Sequence, residues 1–284
     1  MNEPVIDLAS ISAVVFDTDG VVTDTARGHA AAWKHVFDAF LRGRSEPFDI
    51  RDDYLRHVGG RPRLDGIRTF LAARGIAVPE GGPDDEPGAP TVHGLGLAKD
   101  QIFMAQVDKY GVAAFPATVA LLHELRRRGA RTAAVSASLH GRRLVTSAGV
   151  IHLFDLVVDG GDAALMNLPG KPHPALFLEA ARRLAVPAAQ AAVVDAAPPG
   201  VEAAAKGGFG LIVAVTRNEP GSPTALTEPT GVTAATGRGA DGQDGVDGVD
   251  GQDGVAELAG RGAQVVVEDL GELTVRGRVL PLRA

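Results

Sequence analysis

The sequence predicts an α/β protein with a Rossmann-like core, in which helices flank a parallel β-sheet, and with a helical unit inserted after the first strand. Two observations carry this prediction. Short apolar runs of strand length alternate with helical patterns along the second half of the chain, whereas helical patterns alone follow the first apolar run. At 284 residues the chain is long enough for two domains, one inserted in the other.

The first predicted strand is the apolar run at residues 12–16, which ends in two carboxylates, Asp17 and Asp19. Gly20 permits a sharp turn after it. Because open parallel sheets bind ligands at the carboxyl ends of their strands, we expect both carboxylates in a site. A carboxylate can attack a phosphoryl group when a cation such as Mg²⁺ offsets the repulsion between the anions. The pair therefore indicates phosphoryl transfer, and an ordinary Asp-rich turn is the alternative.

Helical spacing of apolar residues follows this turn. It predicts helices at residues 26–42, 64–74 and 98–110. Residues 79–96 are rich in proline, glycine and aspartate, so we expect a loop there. This stretch is therefore predicted to be mostly helical.

From Phe115 onward, strand and helix patterns alternate, as in a parallel sheet covered by helices on both faces. The predicted strands are residues 132–135, 156–158, 191–194, 211–215 and 265–267, and the predicted helices are residues 118–128, a segment after His140, a segment after Pro174, and residues 201–206.

Residues 219–262 break this alternation. Glycine stands at positions 242, 245, 248, 251 and 254, and aspartate precedes each one. Five triplets without proline are too few and too acidic for a collagen helix, and they do not match the nonapeptide calcium repeat. We therefore expect a disordered acidic loop inserted in the core.

Composition narrows the classes of partner. A formal net charge of −7 argues against nucleic acid, because binding to phosphate backbones needs clustered Lys and Arg. The chain has no cysteine, which excludes disulfides, thiolate chemistry and cysteine-ligated zinc. No apolar run reaches the roughly 18 residues that span a bilayer, and the first residues lack a signal-peptide pattern. We expect a cytoplasmic protein with no membrane partner; its oligomeric state is open, and a monomer is compatible with the sequence.

The motif DTDGVVTDT at residues 17–25, followed by His29 and Trp33, closely resembles the first motif of the haloacid dehalogenase-like superfamily, in its β-phosphoglucomutase-like branch. Further motifs follow in the order typical of that superfamily: Ser136-Ala137-Ser138 after a strand, Lys171-Pro172 before a helix, and an acidic turn at Asp195 that leads to Gly200-Val201. The resemblance implies a core at residues 1–26 and 114–284, and a helical cap at residues 27–113 that closes over the active site.

The resemblance also implies catalytic roles for four residues. Asp17 would be the nucleophile that forms a transient aspartyl phosphate, and Asp19 the general acid and base. Ser136 would bind a phosphoryl oxygen with backbone amides at a helix start, and Lys171 would neutralise charge on the nucleophile and the transferred group. Taken alone, Ser136 is equally explained as a helix cap and Lys171 as a surface lysine.

Substrate-binding positions follow from the same resemblance. Arg63 lies where the branch places an arginine that holds the distal phosphate, a role suited to a bidentate guanidinium. His140 falls where some sugar-phosphate mutases carry an asparagine. His29 is also explained as a packed helix histidine, and Trp33 as part of the cap core. The complete set assigned to substrate binding is Arg63, Ser138, His140, Trp33, His29 and Thr25.

The implied cofactor is Mg²⁺, held by Asp17, Asp19 and Asp195. One position departs from the superfamily pattern, because Ala196 stands where a second acid normally binds the metal. Three alternatives remain: water fills the missing position at reduced affinity, Asp195 takes over as the ligand through a shifted turn, or catalysis is lost.

These features predict a Mg²⁺-dependent phosphoryl-transfer enzyme acting on a small phosphorylated metabolite, with a sugar phosphate as the expected substrate. Phosphatase and mutase activities share the aspartyl-phosphate step and differ in whether water or a sugar hydroxyl accepts the phosphoryl group. The alternative is a catalytically weakened domain that binds a phosphorylated ligand or partner as a regulator.

Overall fold

The structure is a computed structural model that describes residues 4–217 and 251–278. The strands in these residues are β1 (Val5–Asp7), β2 (Ala13–Asp17), β3 (Arg131–Val135), β4 (Leu156–Val158), β5 (Ala191–Asp195), β6 (Leu211–Val215), β7 (Val265–Val267) and β8 (Thr274–Arg276). Six of them form one sheet in the order β4-β3-β2-β5-β6-β7, and every neighbouring pair is parallel. This confirms the α/β fold class.

The helices within the same residues are α1 (Ala26–Leu41), α2 (Arg63–Ala73), α3 (Val92–Tyr110), α4 (Pro116–Arg127), α5 (Gly141–Ser147), α6 (Gly160–Met166), α7 (Ala175–Arg183), α8 (Pro198–Lys206) and α9 (Gly251–Gly260). A short π-helix (Tyr54–Val58) lies between α1 and α2, and single turns of 3₁₀-helix occur at Ile151–Leu153, Ala188–Gln190 and Leu270–Glu272.

The central strand is β2, and its residues are buried along their whole length. Val14 and Phe16 pack into the apolar cluster on one face of the sheet, while Ala13 and Val15 pack into the cluster on the other face. Successive side chains of a strand point to opposite faces, so a continuous apolar run is what a strand covered by helices on both sides requires.

Helices α1, α2 and α3 surround an apolar cluster of their own. Phe37 is fully buried at its centre, with its ring centroid 5.1 Å from that of Trp33, 5.1 Å from that of Phe48 and 4.2 Å from that of Phe70. The burial of apolar side chains in this cluster explains the helical spacing of apolar residues in the sequence. The cap boundaries at residues 27 and 113 stay a prediction.

A second, smaller cluster joins these helices to the sheet side of the molecule. Ala32 of α1 and Phe103 and Val107 of α3 pack with Leu144 of α5. An ion pair between Asp108 of α3 and Arg143 of α5, at 2.5 Å, lies at the same interface between α3 and α5. Helix α3 is therefore the main cap element facing α5.

Two predicted loops are shorter than expected. The loop at residues 79–96 ends at Thr91, because α3 begins at Val92 and the Thr91 hydroxyl accepts a hydrogen bond from Gly94 N at 2.9 Å. This side-chain cap stabilises a helix start that the glycines at 94 and 96 conceal. The predicted disordered insertion at 219–262 is wrong at its end, since α9 occupies Gly251–Gly260 and buries Leu258 against the sheet. The rest of that insertion, residues 218–250, lies outside the described residues.

The small parallel pair β1 and β8 and the short helix α6 were not predicted. Within residues 4–217 and 251–278, no helix combines the length and the apolar character needed to cross a bilayer. The cytoplasmic compartment expected from the sequence stays a prediction.

Candidate active site

Three neighbouring strands bring acidic and hydroxyl side chains to one edge of the sheet. Asp17 is the last residue of β2, Ser136 directly follows β3, and Asp195 is the last residue of β5. Because β2 lies between β3 and β5, the three carboxyl ends are adjacent. This is the edge at which open α/β sheets bind ligands.

Lys171 joins two of these strands. Its Nζ donates hydrogen bonds to Asp17 Oδ1 at 2.5 Å and to Asp195 Oδ2 at 2.7 Å, and its side chain is fully buried. Burial alone would lower the pKa of Lys171, but the two carboxylates outweigh it and raise that pKa above its usual range. Burial raises the pKa of Asp17 well above its usual range, although the Lys171 ammonium opposes that rise. Lys171 therefore stays protonated as the counter-ion of the pair, so its alternative as a surface lysine is wrong.

Asp19 has different surroundings, although it is two residues away. Its Oδ1 accepts a hydrogen bond from the Thr25 hydroxyl at 2.5 Å and lies 3.3 Å from His29 Nε2. Burial tends to raise the pKa of Asp19, but His29 and Thr25 favour the carboxylate and lower it to about 2. Gly20 follows with a φ of +81°, a conformation in which glycine avoids the strain of a side chain. Asp19 is thus ionised and held on a fixed turn.

His29 is packed and also reaches the site. Its ring stacks on Phe103 at 3.8 Å between centroids, and its Nδ1 lies 2.5 Å from Lys99 Nζ. Burial lowers the pKa of Lys99 to about 7, because Asp19 and Asp100 compensate only in part for the lost hydration. Sequence reasoning missed Lys99; its position in a helical apolar pattern resembles an ordinary surface lysine.

A cavity of about 390 Å³ lies between the sheet edge and the cap helices. The sequence-predicted site residues that line it are Asp17, Asp19, His29, Trp33, Arg63 and Ser138. Trp33 also belongs to the cap cluster, and its role in substrate binding stays a prediction. The structure brings these six side chains to one space from both sides of the molecule.

The other predicted site residues stand behind the cavity wall. Lys171 and Asp195 lie beneath Asp17, and Thr25 lies behind Asp19. The Ser136 hydroxyl is buried and accepts a hydrogen bond from Ser138 N at 3.2 Å, so it shapes the loop after β3 rather than capping α5, which starts at Gly141. These residues support the groups that face the cavity.

Asp100, another missed residue, links Arg63 to His140. Arg63 is ion-paired with Asp100 Oδ1, and His140 Nε2 lies 3.1 Å from both oxygens of the same carboxylate. Arg63 and Asp100 belong to cap helices, whereas His140 follows β3. His140 therefore contacts the cap directly in this structure.

The loop before α2 rests on two loops of the sheet. A Cβ on Gly60 would lie 2.7 Å from the Cβ of Ala197, and a Cβ on Gly170 would overlap the ring of Pro62. Such close approaches leave no room for a side chain at either glycine. The cap loop is thus seated against the segments that carry Lys171 and Asp195.

Arg217, also missed, holds the turn after Asp19 from the other side. Its guanidinium donates to Gly20 O at 2.7 Å and to Val21 O at 3.0 Å, and it stacks on Phe115 at 3.4 Å from the ring centroid. It also donates to the Thr118 hydroxyl at 3.2 Å and is ion-paired with Asp269 at 3.0 Å. Phe115 adjoins the return from the cap, so Arg217 contacts both connections between cap and sheet.

The donors available for a metal ion are few. In the described part of the chain, no group of three or more acidic or histidine side chains is arranged to hold a metal. Asp17 and Asp19 face the cavity, while the oxygens of Asp195 accept hydrogen bonds from Lys171 and from Ala197 N at 2.8 Å. Because Mg²⁺ keeps several waters and is commonly bound through one or two carboxylates plus substrate phosphate, this set fits a water-rich site.

Comparisons with known proteins agree with this arrangement. A family model described as haloacid dehalogenase-like hydrolase matches residues 11–208. A β-phosphoglucomutase of Mycobacterium bovis is 36% identical over 270 residues, covering 93% of this chain and 91% of that protein. The solved β-phosphoglucomutase of Clostridium difficile superposes with a TM-score of 0.64 at 18% identity, covering 93% of both chains. A CbbY structure from Rhodobacter sphaeroides with xylulose-(1,5)bisphosphate gives a TM-score of 0.59 at 21% identity, covering 93% of this chain and 97% of that one.

Proposed function

Because this chain belongs to the haloacid dehalogenase-like hydrolase family and is an enzyme of that class, we propose that it transfers the phosphoryl group of a small phosphorylated sugar through Asp17. The observation that carries the proposal is the pairing of Asp17 with the buried Lys171 at the floor of a cavity that Asp19 also lines. A nucleophile, its counter-ion and a proton-transfer group are then within one site.

In the first half of the reaction, Asp17 attacks the phosphorus atom. Its Oδ1 is held by Lys171, and its Oδ2 accepts no hydrogen bond from residues 4–217 or 251–278, so Oδ2 is the attacking oxygen. A bond forms between Oδ2 and phosphorus as the bond from phosphorus to the sugar oxygen breaks. Lys171 stabilises the charge that develops on the transferred group, and the product is an aspartyl phosphate.

Asp19 transfers the proton. The leaving sugar oxygen takes a proton from Asp19 in the first half, and the acceptor hydroxyl returns one to Asp19 as it attacks the aspartyl phosphate in the second half. With a pKa lowered to about 2, Asp19 is ionised in this structure, which is the form that can accept a proton. A bound phosphate raises the pKa of a nearby carboxyl by charge repulsion, which favours the acid form needed in the first half.

Mg²⁺ is the proposed cofactor, held by Asp17 and Asp19, with Asp195 sharing oxygens that already accept hydrogen bonds. When bound, it would offset the repulsion between the Asp17 carboxylate and the phosphoryl oxygens. Ala196 supplies no oxygen donor, so we expect weaker binding of the ion than a third carboxylate at this position would give.

The sugar part of the substrate is proposed from the relatives and from the cavity. The Mycobacterium bovis relative is named a β-phosphoglucomutase, and the superposed CbbY structure holds a sugar bisphosphate. The cavity is lined on the cap side by cationic and aromatic groups, among them Arg63, Lys99 and Trp33. Cationic groups suit a phosphate, and the indole ring suits a sugar face.

The proposal is tested with a panel of sugar phosphates, including β-glucose 1-phosphate with its bisphosphate activator, at increasing Mg²⁺. Phosphate release and glucose 6-phosphate formation are followed separately, so that phosphatase and mutase activities are distinguished. Asp17→Asn keeps the size of the side chain and removes the nucleophile, so we expect it to abolish turnover. Turnover that survives in Asp17→Asn contradicts the proposal.

Ala196 favours a second candidate, a catalytically weakened domain that binds a phosphorylated ligand as a regulator. In that case, no member of the panel is turned over even at high Mg²⁺, yet wild-type protein and Asp17→Asn bind a sugar phosphate with comparable Kd. Calorimetric titration with glucose 6-phosphate separates the two functions.

A further inference from the structure

One carboxylate of the cap bridges the cap helices and the sheet side of the molecule. Asp100 of α3 is ion-paired with Arg63 of α2, and both of its oxygens lie 3.1 Å from Nε2 of His140, which stands between β3 and α5. Because an ionised carboxylate can only accept hydrogen bonds, the His140 ring donates from Nε2. Asp100 thus has one partner in the cap and one on the sheet side.

Asp100 is charged in this position. Burial tends to raise its pKa, but the hydrogen bond from His140 and the charge of Arg63 outweigh burial and lower it. The side chains of Arg63, Asp100 and His140 are 23%, 26% and 25% exposed. Such contacts are partly shielded from water and salt, so they are stronger than those of fully exposed pairs, yet water can replace them when the two sides separate.

The contact lies far from the points at which the chain crosses between cap and sheet. The two crossings run side by side, since Asp24 N donates to Ala113 O at 2.9 Å and Phe115 N donates to Val22 O at 3.0 Å. Asp100 stands ten residues before the last residue of α3, which is about 15 Å along a helix. A rotation of the cap about these crossings therefore moves this part of α3 farther from the sheet side than the end of the helix.

A second ion pair joins the same two sides nearer to the crossings. Asp108 of α3 pairs with Arg143 of α5 at 2.5 Å, and it lies two residues before the end of α3, about 3 Å along the helix. Phe103 and Val107 pack on Leu144 between the two polar contacts. Because the pair near the crossings moves little in such a rotation, the polar contact farther away is the one that has to break when the cap opens.

We propose that the contact between Asp100 and His140 is a latch, a reversible polar contact that holds α3 against the loop after β3 and whose release opens the cavity. Arg63 acts on the latch indirectly, because its pairing with Asp100 holds that carboxylate in place. Asp100 lines the cavity between the sheet edge and the cap helices, so a ligand is admitted when this contact breaks. The latch belongs to the motion of the cap and not to the reaction, so it holds or fails independently of the proposed phosphoryl transfer.

The test uses the one tryptophan of the chain. Trp33 lines the cavity and is 3% exposed, so a quencher dissolved in water reaches its ring from the cavity when the cap opens. Fluorescence lifetimes at increasing acrylamide, a neutral quencher, give the quenching constant of the full chain. His140→Ala breaks the latch and leaves the pair of Asp100 and Arg63 in place. Asp100→Asn removes the charge at the same size, and the double variant shows whether both changes act on one contact.

Two control variants share the chemistry of Asp100→Asn. Asp108→Asn weakens the ion pair nearer to the crossings, and Asp52→Asn removes an exposed carboxylate that is paired with Arg56 inside the cap. Thermal melting confirms that each variant is folded. Because the chain has no cysteine, spin labels can be placed on Arg56→Cys of the cap and Arg182→Cys of α7, two exposed positions. Pulsed electron paramagnetic resonance then measures the distances between cap and sheet side.

We expect His140→Ala and Asp100→Asn each to raise the quenching constant by about two- to fivefold and to extend the distances between the labels, because loss of the latch shifts the cap toward open conformations. The double variant should match the single variants, and both control variants should change the quenching constant by less than about 1.5-fold. The latch is overturned if either single change leaves the quenching constant unaltered, if Asp108→Asn matches Asp100→Asn, or if the two single effects add in the double variant. Failure of the proposed function is a separate result, since it shows as turnover that survives Asp17→Asn, whereas quenching is measured without turnover.

Discussion

At the scale of single residues, two carboxylates in one turn have different surroundings because their partners differ. Asp17 is buried against the Lys171 ammonium, and Asp19 accepts a hydrogen bond from Thr25 and faces His29. The first arrangement suits an anion that attacks, and the second suits a group that exchanges a proton. The motif in the sequence contains both acids, but the partners come from elsewhere in the chain.

The pairing of Lys171 predicts a large effect of its removal. Lys171→Met would leave Asp17 and Asp195 as neighbouring buried carboxylates without a cation. We expect a loss of about 3–5 kcal/mol in the free energy of unfolding, measured by urea denaturation, together with loss of turnover. Lys206→Met is the control, because Lys206 is half-exposed and paired with Glu202 alone, and it should change the stability by less than about 1 kcal/mol. Equal effects of the two changes would contradict the role of Lys171.

Lys99 predicts a dependence of stability on pH. Its pKa is lowered to about 7 by burial, whereas an unfolded lysine titrates near 10.5. Between these values the unfolded chain binds more protons at this site than the folded one, so stability should rise with pH from about 7 toward 10, by at most about 1.4 kcal/mol for each pH unit. Lys99→Met removes this contribution.

The measurement compares the unfolding free energies of wild type and Lys99→Met at pH 7 and pH 9. The difference between the two proteins should favour Lys99→Met at pH 7 and shrink at pH 9. A difference that does not change with pH would mean that Lys99 is protonated in the folded protein throughout this range.

At the scale of elements, the turn after β2 depends on a residue that follows β6. Arg217 donates to the carbonyls of Gly20 and Val21 and stacks on Phe115 next to the start of α4. A guanidinium has enough donors in one plane to hold several carbonyls at once, which an ammonium cannot do in the same geometry. The turn that carries Asp19 is therefore braced by the far side of the sheet.

We expect Arg217→Ala to lower kcat by about ten- to a hundredfold with little change in KM, because Asp19 loses its position while the cavity keeps its lining. Arg217→Lys should restore a part of kcat, and added guanidinium should partly rescue Arg217→Ala. Arg261→Ala, which removes an exposed arginine paired with Glu202 and Glu257, is the control. A rise in KM at constant kcat would assign Arg217 to substrate binding instead.

At the scale of the whole molecule, the cap and the sheet meet at two places. Helix α3 packs on α5 through Phe103, Val107 and Leu144, and the cap loop rests on Gly170 and Ala197. In the proposed reaction, closure at these contacts would exclude water from the cavity, and this exclusion would favour a sugar hydroxyl over water as the phosphoryl acceptor.

Gly170→Ala tests the second contact, because its Cβ would overlap Pro62 and push the cap loop away from the sheet. We expect kcat on the best sugar phosphate to fall by up to about a hundredfold, and the radius of gyration from X-ray scattering to increase. Gly82→Ala is the control, since among the described residues no atom beyond its chain neighbours lies within 4 Å of the added methyl group. An unchanged radius with normal turnover would show that the loop contact is not needed for closure.

The sequence by itself determined the main elements and the acids at the strand ends. Short apolar runs and a period of about 3.6 residues in hydrophobicity are local properties, and they located β2 to β7 and most helices within a few residues. The placement of Asp17 and Asp19 in a site followed from the rule that ligands bind at the carboxyl ends of parallel strands, whereas Asp195 was assigned from the resemblance to the family's motifs. The same patterns misplaced the start of α3. The side-chain cap at Thr91 stabilises a helix start in a glycine-rich segment that the sequence predicted to be a loop.

Tertiary structure alone decided the partners of these acids. Lys99 reaches His29 across 70 positions, Asp100 meets His140 across 40, and Arg217 contacts Gly20 across 197. None of these pairs shares a helical turn or a strand, so the hydrophobic periodicity of the sequence does not indicate these contacts. Charge neutralisation and side-chain burial depend on which distant groups come within a few ångströms. For this reason the sequence predicted the two acids after β2, whereas the structure revealed that Arg63, assigned to phosphate binding, is ion-paired with Asp100.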